Sequence, residues 1–258
     1  PEVLYVLLFK AVSTTLKQFG RDPRRLNGEV GMTLVLHTWG QNLHHHPHVH
    51  CVVPGGGLSP DGKRWVSCPP GFFLPVRVLS SVFRGKFLDL TRRAFANEEL
   101  QFQGSLAKLE DAGEFAEYLK SSYTNNWVVY AKRPFGGPEQ VLKYLARYTH
   151  RVAISNHRLL SMSDDQVRFR WKDYAHGNRP RVMTLAADEF IRRFLLHVLP
   201  KGFVRIRQYG LLANRCREDS LARCRTLLGC DDHDQEGSDP AAPINASADS
   251  SQTPTCPV

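Results

Sequence analysis

The 258-residue chain has no long apolar run. Its apolar start, residues 3–9, is too short to span a membrane and lacks the flanks of a secretory leader. No Cys-x-x-Cys pair occurs. The six cysteines, Cys51, Cys68, Cys216, Cys224, Cys230 and Cys256, are irregularly spaced, which argues against a disulfide framework and fits a reducing cytoplasm. The glycine run 55–57 lacks the Lys-Ser/Thr of a phosphate loop and reads as a tight turn beside the site described below. There is no internal repeat. From residue 231 onward there is no lysine or arginine, but there are six acids: Asp231, Asp232, Asp234, Glu236, Asp239 and Asp249.

The basic charge is therefore concentrated. Taking the six acids of the tail away from a net charge of +9 leaves about +15 on the remainder. Such a surplus suits a polyanion, and nucleic acid is the commonest one; the plainer reading is a merely soluble basic protein. A hydrophobic fraction of 42% is enough for a real core. The tail, residues 230–258, is rich in Asp, Ser, Ala, Pro and Thr and is expected to be disordered. The chain opens on Pro1 and closes on Thr-Cys-Pro-Val, where Cys256 resembles the first half of an unfinished pair, so a fragment is expected.

Apolar spacing predicts helices over 3–19, 79–95, part of 106–119, 139–150 with Pro138 as first residue, 188–199 and 221–228. Strands are expected over 30–37, 48–53, 127–131 and 167–172, with a hairpin turning at Gly62. The connections are too varied for a doubly wound parallel sheet. The expected class is α+β, a mostly antiparallel sheet flanked by helices.

Residues 44–50 read His-His-His-Pro-His-Val-His. On a strand, alternate side chains share a face, so His48 and His50 project together. Two imidazoles on a rigid strand make half of a metal site. Imidazole suits Zn, Mn, Fe or Ni better than Mg, whereas oxygen donors and open positions favour Mg2+ or Mn2+. Gln41 is a candidate third ligand, and His37 and His44 compete for the same place. The plainer reading, strongest for His44, His45 and His46, is an exposed or adventitious cluster.

Tyr144 and Tyr148 lie four apart in the helix expected over 139–150 and so share a face. Tyrosine can act as a covalent nucleophile, but its pKa of about 10 calls for nearby positive charge. Lys143, Arg147, His150 and Arg151 supply it. Tyr148 also belongs to an apolar stripe with Val141, Leu145 and Val152 and could be core; Tyr144 faces the more polar flank. In the strand 167–172, Arg168, Arg170 and Lys172 fall on one face, suited to DNA phosphates. Phe169 and Trp171 fall on the other face and are expected in the core. Lys132 and Arg133, Arg192 and Arg193, and Arg205 and Arg207 add to the charge.

Two strings carry a resemblance: residues 37–43 followed by 46–57, from His-Thr-Trp-Gly-Gln-Asn-Leu to His-Pro-His-Val-His-Cys-Val-Val-Pro-Gly-Gly-Gly, and residues 144–156, Tyr-Leu-Ala-Arg-Tyr-Thr-His-Arg-Val-Ala-Ile-Ser-Asn. Together and in this order they resemble the bacterial IS-ninety-one-like insertion-sequence transposases, members of the HUH endonuclease superfamily. The resemblance runs over residues 1–229. It implies a bacterial cytoplasmic enzyme with an HUH-nuclease-like sheet. It implies rolling-circle-type transposition, with single-stranded DNA at the ends of the protein's own mobile element as partner. Metal ligands would be His48 and His50, with Gln41 by superfamily analogy; the nucleophiles Tyr144 and Tyr148 would form a 5′-phosphotyrosine link. Family members usually carry an N-terminal cysteine-rich zinc-binding region, which this sequence lacks. The alternatives are a replication initiator or relaxase, an inactive DNA-binding remnant, and a hydrolase using water as nucleophile.

Overall fold

The computed structural model describes residues 1–69, 75–124, 127–132, 137–149, 153–174 and 176–230, except the side chains of 147–149. The first helix, α1 (Glu2–Arg21), presents Tyr5, Leu8, Phe9, Leu16 and Phe19 to one side. That stripe packs on β1 (Gly31–Trp39) through Met32, Leu34 and Leu36, all fully buried. Burying each such side chain is worth about 1.5–3 kcal/mol. α2 (Val76–Ala96) closes the same core with Leu79, Val82, Phe83 and Phe87.

β1 is the centre of a three-stranded antiparallel sheet ordered β2-β1-β8, with β2 (His45–Val52) and β8 (Ile206–Gly210) as edges. The register sets Val35 opposite His50 and His37 opposite His48. Paired residues share a face, so these side chains project together, opposite the face that packs on α1. β8 is not evident from sequence, because Arg207, Gln208 and Gly210 break the apolar pattern. Arg207 is accommodated by aromatic packing: its guanidinium lies 4.6 Å from the Phe9 ring centre and 5.2 Å from that of Phe203.

The β3 (Gly56–Leu58) and β4 (Trp65–Ser67) hairpin turns at Gly62, as expected. The glycine run is not a tight turn, however, because Gly56 and Gly57 are buried strand residues. They are glycine because backbones crowd them. A Cβ on Gly57 would sit 2.4 Å from the Glu29 carbonyl oxygen, and one on Gly56 would sit 2.5 Å from that of Val66.

The helix expected within 106–119 is divided into a 3-10 segment, Gly104–Glu110, and α3 (Ala112–Thr124). Asp111 makes the break, since its carboxylate accepts from the Gly113 and Glu114 amides, both at 2.9 Å. The strand expected over 127–131 is absent. Trp127 packs on Phe83 and Phe87, each 5.4 Å between ring centres, while Val128 and Tyr130 face solvent. Among the described residues no strand pairs with this segment.

The third sheet is β5 (Leu159–Ser163), β6 (Gln166–Asp173) and β7 (Arg179–Ala186), antiparallel in that order. α4 (Pro138–Thr149) precedes it, with Pro138 first. α5 (Ala187–Leu195) follows and stops short of Pro200. The backbone turns at His197, whose ring is held elsewhere by hydrogen bonds. α6 (Arg217–Leu228) ends at Gly229 in the left-handed conformation, φ 67°. The protein is thus mixed α+β, with antiparallel sheets flanked by helices. The strands are divided among three sheets rather than gathered into one. The tail expected to be disordered lies outside the described residues from Asp231 onward.

Candidate active site

The histidine face of the first sheet brings three imidazoles together. One nitrogen from each of His37, His48 and His50 lies within 4.8 Å of the others. His37 is buried and stacked on Trp39, with ring centres 4.5 Å apart. It meets His48 and His50 edge to face, at 5.5 and 5.0 Å. His48 Nδ1 donates to the His46 carbonyl at 2.8 Å. A carbonyl can only accept, so the proton of neutral His48 is fixed on Nδ1 and its Nε2 carries a lone pair. That Nε2 lies 3.1 Å from His50 Nε2. Burial is the main cause that holds the His48 pKa down to about 4, so the ring is neutral near pH 7. Three converging imidazoles, one buried and two half-buried, fit a divalent first-row metal ion.

The Tyr144 hydroxyl lies 3.2 Å from His50 Nδ1. α4 therefore delivers a phenol to the edge of the imidazole cluster. Cys51, next in sequence to His50, belongs to the opposite face. It packs against the core on the α1 side, away from the imidazoles, where burial pushes its thiol up to about 12.

Gln41 sits in the β1–β2 turn, where its backbone carbonyl accepts from Arg158. In the sequence His37 is only a competitor of Gln41, yet it is the residue found beside His48 and His50. A regular hairpin turning at 40–44 would set residue 37 against 47; a one-residue shift in register between His37 and Trp39 sets it against His48 instead, which nothing in the sequence marks. His44 is exposed ahead of β2. His45 points to the reverse side, with its Nε2 2.8 Å from the Tyr5 hydroxyl. His46 lies beside His48, ring centres 5.0 Å apart. Lys143 is exposed, its ammonium 3.9 Å from Glu139. Arg168, Arg170 and Lys172 are exposed along one face of β6, while Phe169 and Trp171 pack inward. Arg192 and Arg193 are both engaged by Glu189, whose pKa they pull down to about 2 through hydrogen bonds. Tyr148 and Arg147 lie in α4, but their side chains are outside the described residues, as is Arg151 altogether.

The family model described as "Putative transposase" matches residues 31–220. The chain is 61% identical, over 227 residues, to a protein of Sinorhizobium fredii named "Putative transposase y4qJ"; the match covers 88% of this chain and 57% of that protein. It is 26% identical over 196 residues to the "Transposase for insertion sequence element IS801" of Pseudomonas savastanoi pv. phaseolicola, covering 74% of this chain and 45% of the relative. The chain thus spans about half the length of the curated relatives it matches. No solved structure matches.

Proposed function

The chain belongs to the transposase family matched over residues 31–220, and we propose that it nicks and rejoins single-stranded DNA by attack of a tyrosine on a phosphodiester. One observation carries the reading: the Tyr144 hydroxyl, 3.2 Å from His50, borders three converging imidazoles. The DNA would be the ends of its own mobile element, as in rolling-circle-type transposition. Residues 1–229 would form the catalytic domain.

His37, His48 and His50 would hold the metal, with His37 rather than Gln41 as third ligand. Mn2+ suits imidazoles better than Mg2+. When bound, the ion supplies Lewis-acid polarisation of a phosphate oxygen. The chain's own groups do the rest. When His50 Nε2 serves as a ligand, its proton resides on Nδ1 and is donated to the Tyr144 oxygen, favouring phenolate over phenol. Tyr144 Oη attacks phosphorus, and the phenolic proton is lost to solvent. The Oη–P bond forms and the P–O3′ bond breaks. The leaving oxygen takes up a proton as a 3′-OH, and the 5′ side remains as phosphotyrosine. Attack by a 3′-OH reverses the exchange, so bond energy is conserved and no nucleotide is consumed. Tyr148, one turn along α4, would accept a second strand. Arg168, Arg170, Lys172 and Lys143, with Arg147 and Arg151, would contact phosphates.

The test is a denaturing gel with Mn2+ and labelled single-stranded DNA carrying the element's ends. A labelled band at protein-plus-oligonucleotide mass is expected, lost without metal, in His48→Ala and in the double Tyr144→Phe, Tyr148→Phe variant. Cleavage without an adduct would replace the tyrosine with a water nucleophile. Binding with neither product would leave an inactive DNA-binding remnant. An adduct on a replication-origin strand but not on element ends would favour an initiator or relaxase.

A further inference from the structure

The β1–β2 turn, Gly40 to Leu43, joins the strand bearing His37 to the strand bearing His48 and His50. It is an unfavourable piece of backbone. Leu43 is fully buried at φ 60°, a conformation that side chains other than glycine rarely adopt. The register between β1 and β2 also slips between His37 and Trp39. Three consecutive carbonyls of this turn accept hydrogen bonds from side chains far away in sequence. Arg158 donates to Gln41, Arg193 to Asn42 at 3.3 Å, and His197 to Leu43 at 3.1 Å. The donation through Nε2 leaves His197 Nδ1 as an acceptor, 3.4 Å from the Thr38 hydroxyl on β1. Arg193 is itself held by Glu189 at 2.6 Å. Leu43 packs with Phe169, Ala153 and Ile154, the core beneath β6. Arg158 also donates to the Arg170 carbonyl of β6 at 2.8 Å. One guanidinium thus bridges the centre of the basic strand and the turn of the histidine hairpin.

We propose that Arg158, Arg193 and His197 are positioning residues. They hold the β1–β2 turn so that His37 converges with His48 and His50, and through Arg158 they tie that turn to the strand whose outer face carries Arg168, Arg170 and Lys172. This rests on the reading of the three imidazoles as a metal site. A hairpin fixed only at its strands could slide or rock at its tip, and a small shift there separates residue 37 from residue 48. Carbonyls pinned from the turn before β5, from α5 and from the segment just after α5 remove that freedom. They also put strand docking on β6 and metal loading at the histidines on one rigid connection.

The test measures Mn2+ binding by calorimetry, and backbone hydrogen exchange over residues 40–52, in the full chain. The variants are Arg158→Ala, Arg193→Ala and His197→Gln, with Arg158→Lys and Arg193→Lys as conservative partners. Mn2+ affinity should fall about tenfold in the first three, the low end of the loss seen when groups that orient metal ligands are removed. Exchange over 40–52 should quicken, and the lysine variants should recover part of both losses. The lysine variants also keep the proposal testable if an alanine variant fails to fold. Folded variants with parental exchange over 40–52 would overturn the proposal whether or not metal binds. Quickened exchange with unchanged Mn2+ affinity would overturn the link to the metal site. A parent chain that binds no Mn2+ would strike the metal reading itself, while the exchange data would still judge the hold on the turn.

Discussion

The two three-stranded sheets of this protein treat their faces differently. β1 is buried along nearly its whole length, with α1 on one side and the imidazole cluster on the other. β6, equally central to its sheet, alternates buried and exposed residues, and its outer face is left to solvent and to three cations. A group that must stay neutral and face other donors needs walls, because burial is what holds His48 unprotonated. A surface that grips a polyanion needs a bare face, where each cation can displace counterions. The comparison teaches a division of labour, with bond chemistry proposed for the walled sheet and backbone contact for the open one.

That division can be broken by experiment. The largest effect should come from metal. Mn2+ at about 100 times its dissociation constant should stabilise the protein by about 2.7 kcal/mol, read as a rise in melting temperature. His48→Ala should lose this rise and the Arg168→Gln, Arg170→Gln pair should keep it. A rise retained in His48→Ala would place the ion elsewhere. A smaller effect should come from the open sheet. Removing both arginines should shallow the dependence of log affinity for single-stranded DNA on log salt by about 0.7 for each phosphate no longer neutralised, measured by fluorescence anisotropy. His48→Ala should leave that slope alone; a change there would merge the two surfaces.

The smallest effect sharpens the joint between the sheets. Burial lowers the His197 pKa below its ordinary value of about 6.5, so the folded state resists its protonation. The stability it contributes is therefore intact above about pH 6.5 and declines as pH falls below that value. His45, which stacks near it, is shifted in the same direction by burial and shares the trend. Denaturant melts of His197→Gln should show a gentler loss of stability on acidification than the parent. An identical pH profile would remove His197 from the account.

The features legible in the sequence are those with local periodicity. The alternation of residues 167–172 marks the exposed cations of β6, and the His-x-His pattern marks one face of β2. α1 can be read from its apolar spacing. Elements held by distant partners cannot be read in this way. β8 depends on Arg207 lying over Phe9 and Phe203, which makes a charged residue behave as part of a core. β5 and β7 are serine- and arginine-containing edges that β6 organises. Residues 127–131 have strand composition but, among the described residues, no pairing partner, so their tryptophan packs on a helix instead. Arg158, Arg193 and His197 reach carbonyls 117, 151 and 154 positions away, and nothing local marks them.

Hairpin turns are usually where related proteins drift in length, because an extra residue bulges harmlessly into water. The turn at Gly40 to Leu43 has lost that freedom. Three of its consecutive carbonyls are already accounted for, and Leu43 fills a core position. One inserted residue would put every donor against the wrong acceptor. Among descendants of this chain, side chains around the turn can vary, whereas its residue count should be as fixed as the histidines it separates.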